Sequence, residues 1–396
     1  MKVTYVTIYD ANDVQHWSGS GYHIARALKF QNLDVDLIGP LGSPKVTWPV
    51  FKAKGLLYNR ILRKRYCRAH DVAFARHYAR KIEKSLSQRG AGDIIFSPWS
   101  IPIAFLNTDR PIAYWHDATH AGLFDFYPDY TGMCRRSIRD GHLIEHTALK
   151  RSCAAIFSSD WAARSAIEDY NADPKKVHVV PFGANLENPP SPGQVGDAIR
   201  ARSKNTCKLL FIGVDWFRKG GDLALQVAEK LNRIGLRTEL TIVGCNPFTS
   251  ENKPPFVRCE GFLSKQNPVH LKRIEQLLAE SHFLLVPSLA EAFGIVYCEA
   301  NAYGVPSLAR AVGGVPTVIK DGQNGFLFPV EAEAIDYVQI IERYFQRYEN
   351  YIDLALSSLN EYQQRLNWQV AGKRVRQILL EATAGGARKQ NIPAGR

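Results

Sequence analysis

Residues 286–306 read VPSLAEAFGIVYCEANAYGVP and place two glutamates, Glu291 and Glu299, eight positions apart. The apolar residues that end near Pro287 predict a strand, and the run from Gly294 onward predicts the first turns of a helix. The first amides of a helix have no partner within it, so a helix start is a ready site for an anion. If a phosphorylated sugar lies across this start, the two ionised carboxylates are suited to accept hydrogen bonds from its hydroxyl groups.

This stretch and the one after it resemble the retaining nucleotide-sugar glycosyltransferases of family four, the glycosyl transferases group 1 with the GT-B fold. The matching residues follow in order over about forty positions: Glu291, Phe293, Gly294, Glu299, Ala300, Gly304, Pro306, Gly313, Gly314, Pro316, Gly322, Gly325 and Pro329. The resemblance implies an α/β fold of two Rossmann-like doubly wound domains that face each other across a cleft. It also implies transfer of a sugar from a nucleoside diphosphate donor to a hydroxyl acceptor, with retention at the anomeric carbon.

Length and composition agree with a two-domain enzyme. The chain has 396 residues, of which 45% are hydrophobic and 22% charged, as in ordinary soluble globular proteins. Its seven cysteines form no close CxxC pair, so neither a disulfide framework nor a cysteine zinc site is indicated. The start MKVTYVTIYD lacks the features of a secretory signal, and no apolar run reaches the ~18 to 20 residues that cross a bilayer. We expect a cytoplasmic protein whose membrane contact, where it occurs, is peripheral and on the inner face.

Positive charge is concentrated in residues 45–89, which hold thirteen Lys or Arg against Asp71 and Glu83, in a chain of net charge +12. The basic residues mix with Leu, Ile, Tyr and Phe at helical spacing, which is typical of a segment that lies on an anionic membrane face or binds an acidic acceptor. The alternative is a solvated amphipathic helix without a special partner, and the sequence leaves both open. Nucleic acid is not expected, because neither an aromatic platform nor zinc-finger spacing supports it.

Strands alternate with helical stretches along the whole chain, which predicts a doubly wound parallel sheet of six strands in each half. The clearest linker is ENPPSPGQVG, residues 187–196. We therefore predict an acceptor-side domain over 1–190 and a nucleotide-sugar-binding domain over 191–367. The resemblance places a C-terminal helix, 368–384, back on the first domain, and residues 385–396 are expected to form a flexible tail.

The second half carries a candidate phosphate site after the strand candidate KLLFIGV, where the chain continues DWFRKGGD. A departing nucleoside diphosphate gathers negative charge that cations must stabilise. The resemblance assigns the diphosphate to Lys219. Because Val214 stands where the family usually carries an arginine, we infer that Arg218 supplies the second cation. The alternative is that Arg218 and Lys219 only face solvent.

The resemblance assigns the ribose diol to Glu299 and the sugar hydroxyls to Glu291 and His116, with Asp117 and Thr119 lining the pocket of His116. Further donor-binding residues are predicted at Gly19, Gly21, Phe293, Gly294, Ile295, Gly261, Phe262 and Leu263. The first two glycines lie in a loop after strand one, where the backbone can approach a phosphate or the acceptor. This loop does not fit a dinucleotide fingerprint, because the third glycine of GxGxxG is missing.

Two motifs point to other chemistry. The order HLIEH, from His142 to His146, is that of the inverted zinc peptidases, although the stretch is typical of a connecting helix. Asp34 and Asp36 form a DxD, which binds a metal diphosphate in a different glycosyltransferase fold, but they lie in a predicted surface strand. We expect no metal and no cofactor, because lysine, arginine and a helix start can neutralise the phosphates.

The sequence is also compatible with other functions. Nucleotide-sugar epimerases and phosphorylases share the two-domain fold; the first would convert the donor without an acceptor, and the second would need inorganic phosphate. A non-catalytic protein that docks on membrane or nucleic acid through its basic segment is the alternative from another class.

Overall fold

The computed structural model describes residues 1–42, 48–249 and 251–390. The chain divides into two compact units. Unit 1 consists of Met1–Pro181 and the chain from Trp368 onward, and unit 2 consists of Phe182–Asn367. The chain therefore passes from one unit to the other before the predicted border at 190.

Each unit contains a six-stranded sheet in which all neighbouring strands are parallel. The strands of unit 1 are β1 (Lys2–Val6), β2 (Asp34–Ile38), β3 (Ile94–Ser97), β4 (Ile112–His116), β5 (Ala154–Phe157) and β6 (Val177–Val179). The strands of unit 2 are β7 (Cys207–Ile212), β8 (Thr238–Val243), β9 (Val257–Gly261), β10 (Phe283–Leu285), β11 (Ser307–Arg310) and β12 (Gly325–Phe328). Six strands were predicted in each half and each sheet has six, so the predicted α/β fold with two doubly wound sheets is confirmed.

The helices that cover the sheets are short to medium in length. They are α1 (Ser20–Phe30), α2 (Trp48–Leu56), α3 (Val72–Arg89), α4 (His120–Leu123), α5 (Arg135–Arg151), α6 (Asp160–Glu168), α7 (Pro192–Ala201), α8 (Gly221–Arg233), α9 (Pro268–Glu280), α10 (Ile295–Ala302), α11 (Val315–Val318), α12 (Ala334–Gln346), α13 (Tyr348–Arg365) and α14 (Trp368–Gln390). A π-helical turn, Leu57–Ile61, continues α2, and 3-10 turns lie at His16–Gly19, Arg68–His70, Pro128–Tyr130 and Pro174–Lys176. No helix of the described part of the chain has the length and apolar character that crossing a bilayer requires.

The order of the strands reverses once in each sheet. Unit 1 has the order β2-β1-β3-β4-β5-β6, so the reversal lies between β1 and β3. Unit 2 has the order β12-β11-β10-β7-β8-β9, so its reversal lies between β7 and β10. In open α/β sheets, ligands bind outside the carboxyl ends of the strands at such a point. The fold therefore singles out one ligand-binding edge in each unit.

The central strands are buried on both faces, as parallel strands covered by helices must be. Every residue of β3, β4 and β5 is buried, and so is every residue of β10. Their sequences are accordingly almost continuous apolar runs rather than alternating ones.

Helix α14 packs within unit 1. The ring of Trp368 stacks on His23 at 5.8 Å and meets the edge of Trp115 at 5.6 Å. A Cβ at Gly372 would lie 2.8 Å from the carbonyl oxygen of Ala27, so this glycine permits close approach to α1. The helix continues to Gln390, beyond the predicted end at 384, so residues 385–390 of the predicted flexible tail are helical. The rest of that predicted tail lies outside the described residues.

The predicted linker is only partly irregular. Helix α7 begins inside it, at Pro192, because the hydroxyl of Ser191 accepts from the amide of Gln194 while the Gln194 side chain reaches back to Ser191. This reciprocal arrangement satisfies amides at the helix start, and proline is favoured in the first turn. Part of the Pro-, Gly- and Ser-rich stretch that was predicted to be a linker therefore forms a helix start.

Candidate functional site

The loops after β7 and β10 carry the main candidate residues of unit 2. The two strands are neighbours, so residues 213–220 and 286–294 emerge side by side at the point where the strand order reverses. The first loop holds Arg218 and Lys219, and the second holds Glu291. The sheet thus brings together side chains that are 72 residues apart in the sequence.

Two cations converge on Glu291. The Nζ of Lys219 contacts Oε2 of Glu291 directly, and Nη1 of Arg218 lies 4.0 Å from the same oxygen. The hydroxyl of Ser288 donates to this oxygen at 3.5 Å. Arg218 also donates to the carbonyl oxygen of Ala290 at 2.9 Å, which orients its guanidinium. The side chains of Lys219 and Glu291 are only 12% and 11% exposed, so their charges interact with little screening by water.

The backbones of the two loops are fixed to each other. The amide of Leu289 donates to the carbonyl oxygen of Arg218 at 2.8 Å. Gly220 adopts a left-handed conformation with φ of 77°, and a Cβ at this position would overlap the carbonyl oxygen of Pro287. Glycine is therefore required for the approach that places Lys219 beside Glu291.

We expect Gly220→Ala to destabilise the protein more than Gly235→Ala, its matched control. Both glycines have a positive φ, 77° and 91°, but a Cβ at Gly235 has no atom within 4 Å. Backbone strain should lower the free energy of unfolding of each variant by about 1 to 3 kcal/mol. In Gly220→Ala, the overlap with Pro287 should lower it by about 1 to 3 kcal/mol more. Urea denaturation measures both losses, and equal losses would show that the two loops do not depend on this contact.

Helix α10 begins at the end of the second loop. Its N-cap is Gly294, in a left-handed conformation with φ of 91°, where a Cβ would overlap the ring of Tyr297. Since glycine offers no capping side chain, the first amides, beginning at Ile295, are suited to receive a ligand anion. Phe293 is 2% exposed and packs against Phe182, with ring centroids 5.2 Å apart. Phe293 was predicted to bind the donor, but its burial means that it supports the loop from within.

Glu299 lies on α10 and has its own cation. The Nζ of Lys265 contacts Oε1 of Glu299 and donates to the carbonyl oxygen of Asn185 at 3.3 Å. The carboxylate is 6% exposed and the lysine side chain is 37% exposed. Lys265 was not predicted from the sequence. The available signal was its place in the loop that follows β9, at the carboxyl end of a parallel strand.

Three of the predicted donor-binding residues lie at the end of β9 and on the loop that carries Lys265. Gly261 ends β9 with a φ of 68°, which turns the chain out of the sheet. Phe262 is 69% exposed and Leu263 is half-buried. The structure therefore links Glu299 with this loop through Lys265, whereas it places Phe262 in water.

In unit 1, His116 stands at the end of β4 within a cluster of aromatic rings. Trp17 and Trp99 lie 5.3 and 5.2 Å from its ring and 5.3 Å from each other. Asp117 accepts from Nε1 of Trp17 at 3.1 Å and lies 3.4 Å from Nε2 of His116. Tyr9 extends the cluster at 5.9 Å from Trp99. His116 and Asp117 were predicted from the sequence, but the aromatic residues were not. These come from the loops after β1 and β3, where the strand order of this sheet reverses.

The loop after β1 is conformationally strained at its end. Trp17, Ser18 and Gly19 follow one another with positive φ values of 51°, 55° and 85°. Such conformations in residues other than glycine are typical of functional sites. Gly19 is the N-cap of α1, and Gly21 lies in its first turn, where its carbonyl oxygen accepts from the hydroxyl of Tyr5 at 2.8 Å. Both predicted glycines thus form the start of a helix at the ligand-binding edge of unit 1.

Thr119 does not line a pocket, contrary to the prediction. It is fully buried, and its hydroxyl accepts from the amide of Gly122 and shares a hydrogen bond with Ser165. Its role is to cap α4.

The HLIEH motif does not converge on one centre. It lies on α5, where His142 bonds to the hydroxyl of Tyr170 at 2.9 Å and His146 is exposed. Glu145 points inward to Ser100 at 2.8 Å, and burial raises the pKa of its carboxyl. Among the described residues, no three His, Cys, Asp or Glu are arranged to hold a metal ion. The two aspartates of the DxD lie on β2, the edge strand, as predicted.

Residues 197–355 match the family model described as glycosyl transferases group 1. Similar curated relatives include the D-inositol 3-phosphate glycosyltransferase of Geodermatophilus obscurus, 30% identical over 203 residues. This match covers 47% of the chain and 44% of the relative. The chain thus spans about half the length of the curated relatives it matches.

Solved structures match almost the whole chain. Sucrose-phosphate synthase from Thermosynechococcus elongatus is similar at a TM-score of 0.70 and 16% identity, over 97% of this chain and 100% of that one. Anabaena Alr3699/HepE in complex with UDP is similar at a TM-score of 0.65 and 16% identity, over 96% and 100%. These likenesses confirm the predicted GT-B fold class.

Proposed function

Residues 197–355 match the glycosyl transferases group 1, and on this premise we propose that the protein transfers a sugar from a nucleoside diphosphate donor to a hydroxyl acceptor. One observation carries the proposal. Two cations, Arg218 and Lys219, meet a carboxylate, Glu291, at the edge of unit 2 where the strand order reverses. That is the place where open α/β sheets bind ligands, and the residue types are those that a nucleotide sugar needs.

The diphosphate is assigned to Lys219, Arg218 and the first amides of α10. An ammonium has three N–H donors, so Lys219 can bind Glu291 and a phosphate oxygen together. The helix start adds partial positive charge on the same side. These groups match the charge that develops on the leaving diphosphate, and for that reason we propose that transfer needs no metal ion.

The ribose diol is assigned to Glu299. Lys265 occupies one of its oxygens, Oε1, and leaves Oε2 to accept from a diol hydroxyl. The ion pair also ties the carboxylate, which lies on α10, to the loop that follows β9. Lys265 is thus a positioning residue for nucleotide binding.

Sugar hydroxyls are assigned to Glu291 and, in unit 1, to His116. We propose retention at the anomeric carbon, with Glu291 orienting the sugar rather than attacking it. The support is its ion pair: an oxygen held by Lys219 and Ser288 is a poor nucleophile and a well-fixed acceptor. Proton NMR of the first product formed reports the anomeric configuration, and inversion would contradict this part of the proposal.

We also propose the class of the acceptor and a contact with a membrane. The protein is proposed to work in the cytoplasm, on a glycan, a lipid-linked acceptor or a small molecule, with peripheral contact through residues 45–89. The support is the excess of Lys and Arg in that region.

A thermal-shift panel tests donor binding. We expect one nucleoside diphosphate among UDP, GDP and ADP, and its sugars, to stabilise the protein by roughly 2.7 kcal/mol at a hundred times its dissociation constant. UDP comes first because it is the ligand of the Anabaena structure. Failure of every nucleotide and nucleotide sugar to raise the melting temperature would contradict the proposal.

Product analysis with the selected donor separates the remaining functions. A transferase hydrolyses the donor slowly alone and forms a glycoside when an acceptor is added, with D-inositol 3-phosphate as the first acceptor tried because the curated relatives are named for it. An epimerase would change the donor without any acceptor. A phosphorylase would release sugar phosphate only when inorganic phosphate is present.

A further inference from the structure

Apolar side chains face water on one short segment of unit 1. Leu56, Leu57, Ile61 and Leu62 are 54%, 45%, 68% and 51% exposed. Single exposed apolar residues are ordinary, but a contiguous group marks a surface that another apolar phase covers. Four such residues within one stretch of seven form a group of that kind.

The backbone of this segment is tightly held. The ring of Tyr58 stacks on Tyr66 at 5.7 Å, and the side chain of Asn59 accepts from the amide of Tyr66 at 2.8 Å. The amide of Lys64 donates to the carbonyl oxygen of Tyr58 at 2.9 Å. Because Tyr58 packs inward, the leucines and isoleucine beside it are directed outward by an ordered turn.

Helix α2, which leads into this turn, is fixed in the same way. Phe51 is 4% exposed and packs against Phe74 with ring centroids 4.3 Å apart. Lys54 forms an ion pair with the buried Asp71 at 2.8 Å. The contacts of Phe51, Lys54 and Tyr58 therefore anchor both α2 and the turn that carries the exposed apolar residues.

The segment is also strongly cationic. Residues 48–70 contain seven Lys or Arg and no Asp or Glu. Lys54 is neutralised by Asp71, and Arg65 by Asp129 at 3.1 Å. In the part of the chain that the structure describes, no carboxylate pairs with the exposed residues Lys52, Arg60, Arg63 and Lys64.

We propose that residues 56–64 dock the protein on an anionic lipid bilayer, an inference that rests on the peripheral contact proposed above for residues 45–89 and narrows it. The four apolar side chains enter the interfacial region, and Arg60, Arg63 and Lys64 meet the phosphate groups of the lipids. A nucleic acid would account for the cations but would leave the leucines and isoleucine in water. A bilayer accommodates both sets of side chains at one surface.

Helix α3 is not the inserting element, although residues 45–89 form one basic segment in the sequence. Its apolar side chains Phe74, Tyr78 and Ile82 are buried in the core of unit 1. Its exposed face carries Arg80, Lys84 and Arg89 without exposed leucine or isoleucine beside them. This face supplies a matched control with the same charge and no apolar group.

Vesicle co-sedimentation tests the inference, with phosphatidylcholine alone or mixed with phosphatidylglycerol. The wild-type protein should bind the anionic vesicles. The triple variant Arg60→Gln/Arg63→Gln/Lys64→Gln should bind them on the order of a hundredfold more weakly, because each cation near the surface contributes severalfold. Leu57→Ser/Ile61→Ser should bind about tenfold more weakly and should release more readily at high salt, where charge attraction is screened.

The control Arg80→Gln/Lys84→Gln/Arg89→Gln should retain binding within about threefold, because it changes net charge equally outside the segment. Circular dichroism and nucleotide thermal shifts show that each variant is folded. An equal loss in the control, or no loss in Leu57→Ser/Ile61→Ser, would overturn the inference. So would equal binding of the wild type to a single-stranded oligonucleotide and to anionic vesicles, with the apolar variant unchanged in both. Vesicle binding is measured without donor or acceptor, so its outcome does not depend on sugar transfer.

Discussion

Replacing Lys219 by alanine is expected to lower kcat/KM for sugar transfer by about a thousandfold, the upper range for removing one group that stabilises developing charge. The ammonium lies in a largely buried place, where its interaction with the leaving diphosphate is weakly screened. Arg218 and the start of α10 remain, so residual activity should persist. Initial rates with the donor selected by thermal shift measure the effect.

Lys230→Ala is the matched control for this change. Lys230 is exposed on α8 of the same unit, so its loss removes a positive charge without touching the site. It should leave kcat/KM within about twofold, as surface substitutions usually do. If Lys219→Ala also stays within tenfold of the wild type, the assignment of the diphosphate is wrong.

Replacing Glu291 by glutamine is expected to lower kcat by about a hundredfold while the affinity for the nucleoside diphosphate changes little. A carboxylate that orients sugar hydroxyls contributes through charged hydrogen bonds, which an amide reproduces only in part. The diphosphate keeps Lys219, which in this variant no longer pairs with a carboxylate. Steady-state rates give kcat, and titration calorimetry with the nucleoside diphosphate gives the affinity.

Glu331→Gln serves as the control. Glu331 is an exposed residue of unit 2, and its replacement removes the same negative charge. The double variant Lys219→Ala/Glu291→Gln tests whether the effects of the two residues on activity are coupled. Its loss should be smaller than the product of the two single losses, because each single variant also leaves a charged partner alone. Normal transfer by Glu291→Gln would count against the proposed site.

The strands were predictable because they are short apolar runs that alternate with helical stretches. Runs such as KLLFIGV and FLLVPS need no knowledge of their neighbours to be recognised as strands. The helix start at Pro192 was missed, because Ser, Pro and Gly are common both in linkers and at the first turn of a helix. The capping contact between Ser191 and Gln194 decides between the two, and it forms only in the folded chain.

The candidate site was predictable where its residues belong to one local motif. Glu291, Gly294 and Glu299 lie within a single stretch, and Lys219 precedes two glycines. Lys265 could not be recognised, because its partner Glu299 is 34 residues away and only the sheet brings them together.

The aromatic cluster of unit 1 was missed for the same reason. Trp17 and Trp99 come from loops after different strands, and nothing in either local sequence indicates the other. Long-range contacts of this kind follow from strand order, which the alternation of helices and strands does not specify.

The two segments of unit 1 come from the N-terminal and the C-terminal part of the chain. During synthesis His23 and Trp115 leave the ribosome long before Trp368, the ring that covers them, whereas unit 2 is complete in sequence once Asn367 has emerged. The half that is translated first is therefore the last to be finished. A nascent chain that stops at 367 would carry a complete unit 2 and a unit 1 that lacks α14, so part of the core of unit 1 would be uncovered and open to chaperones.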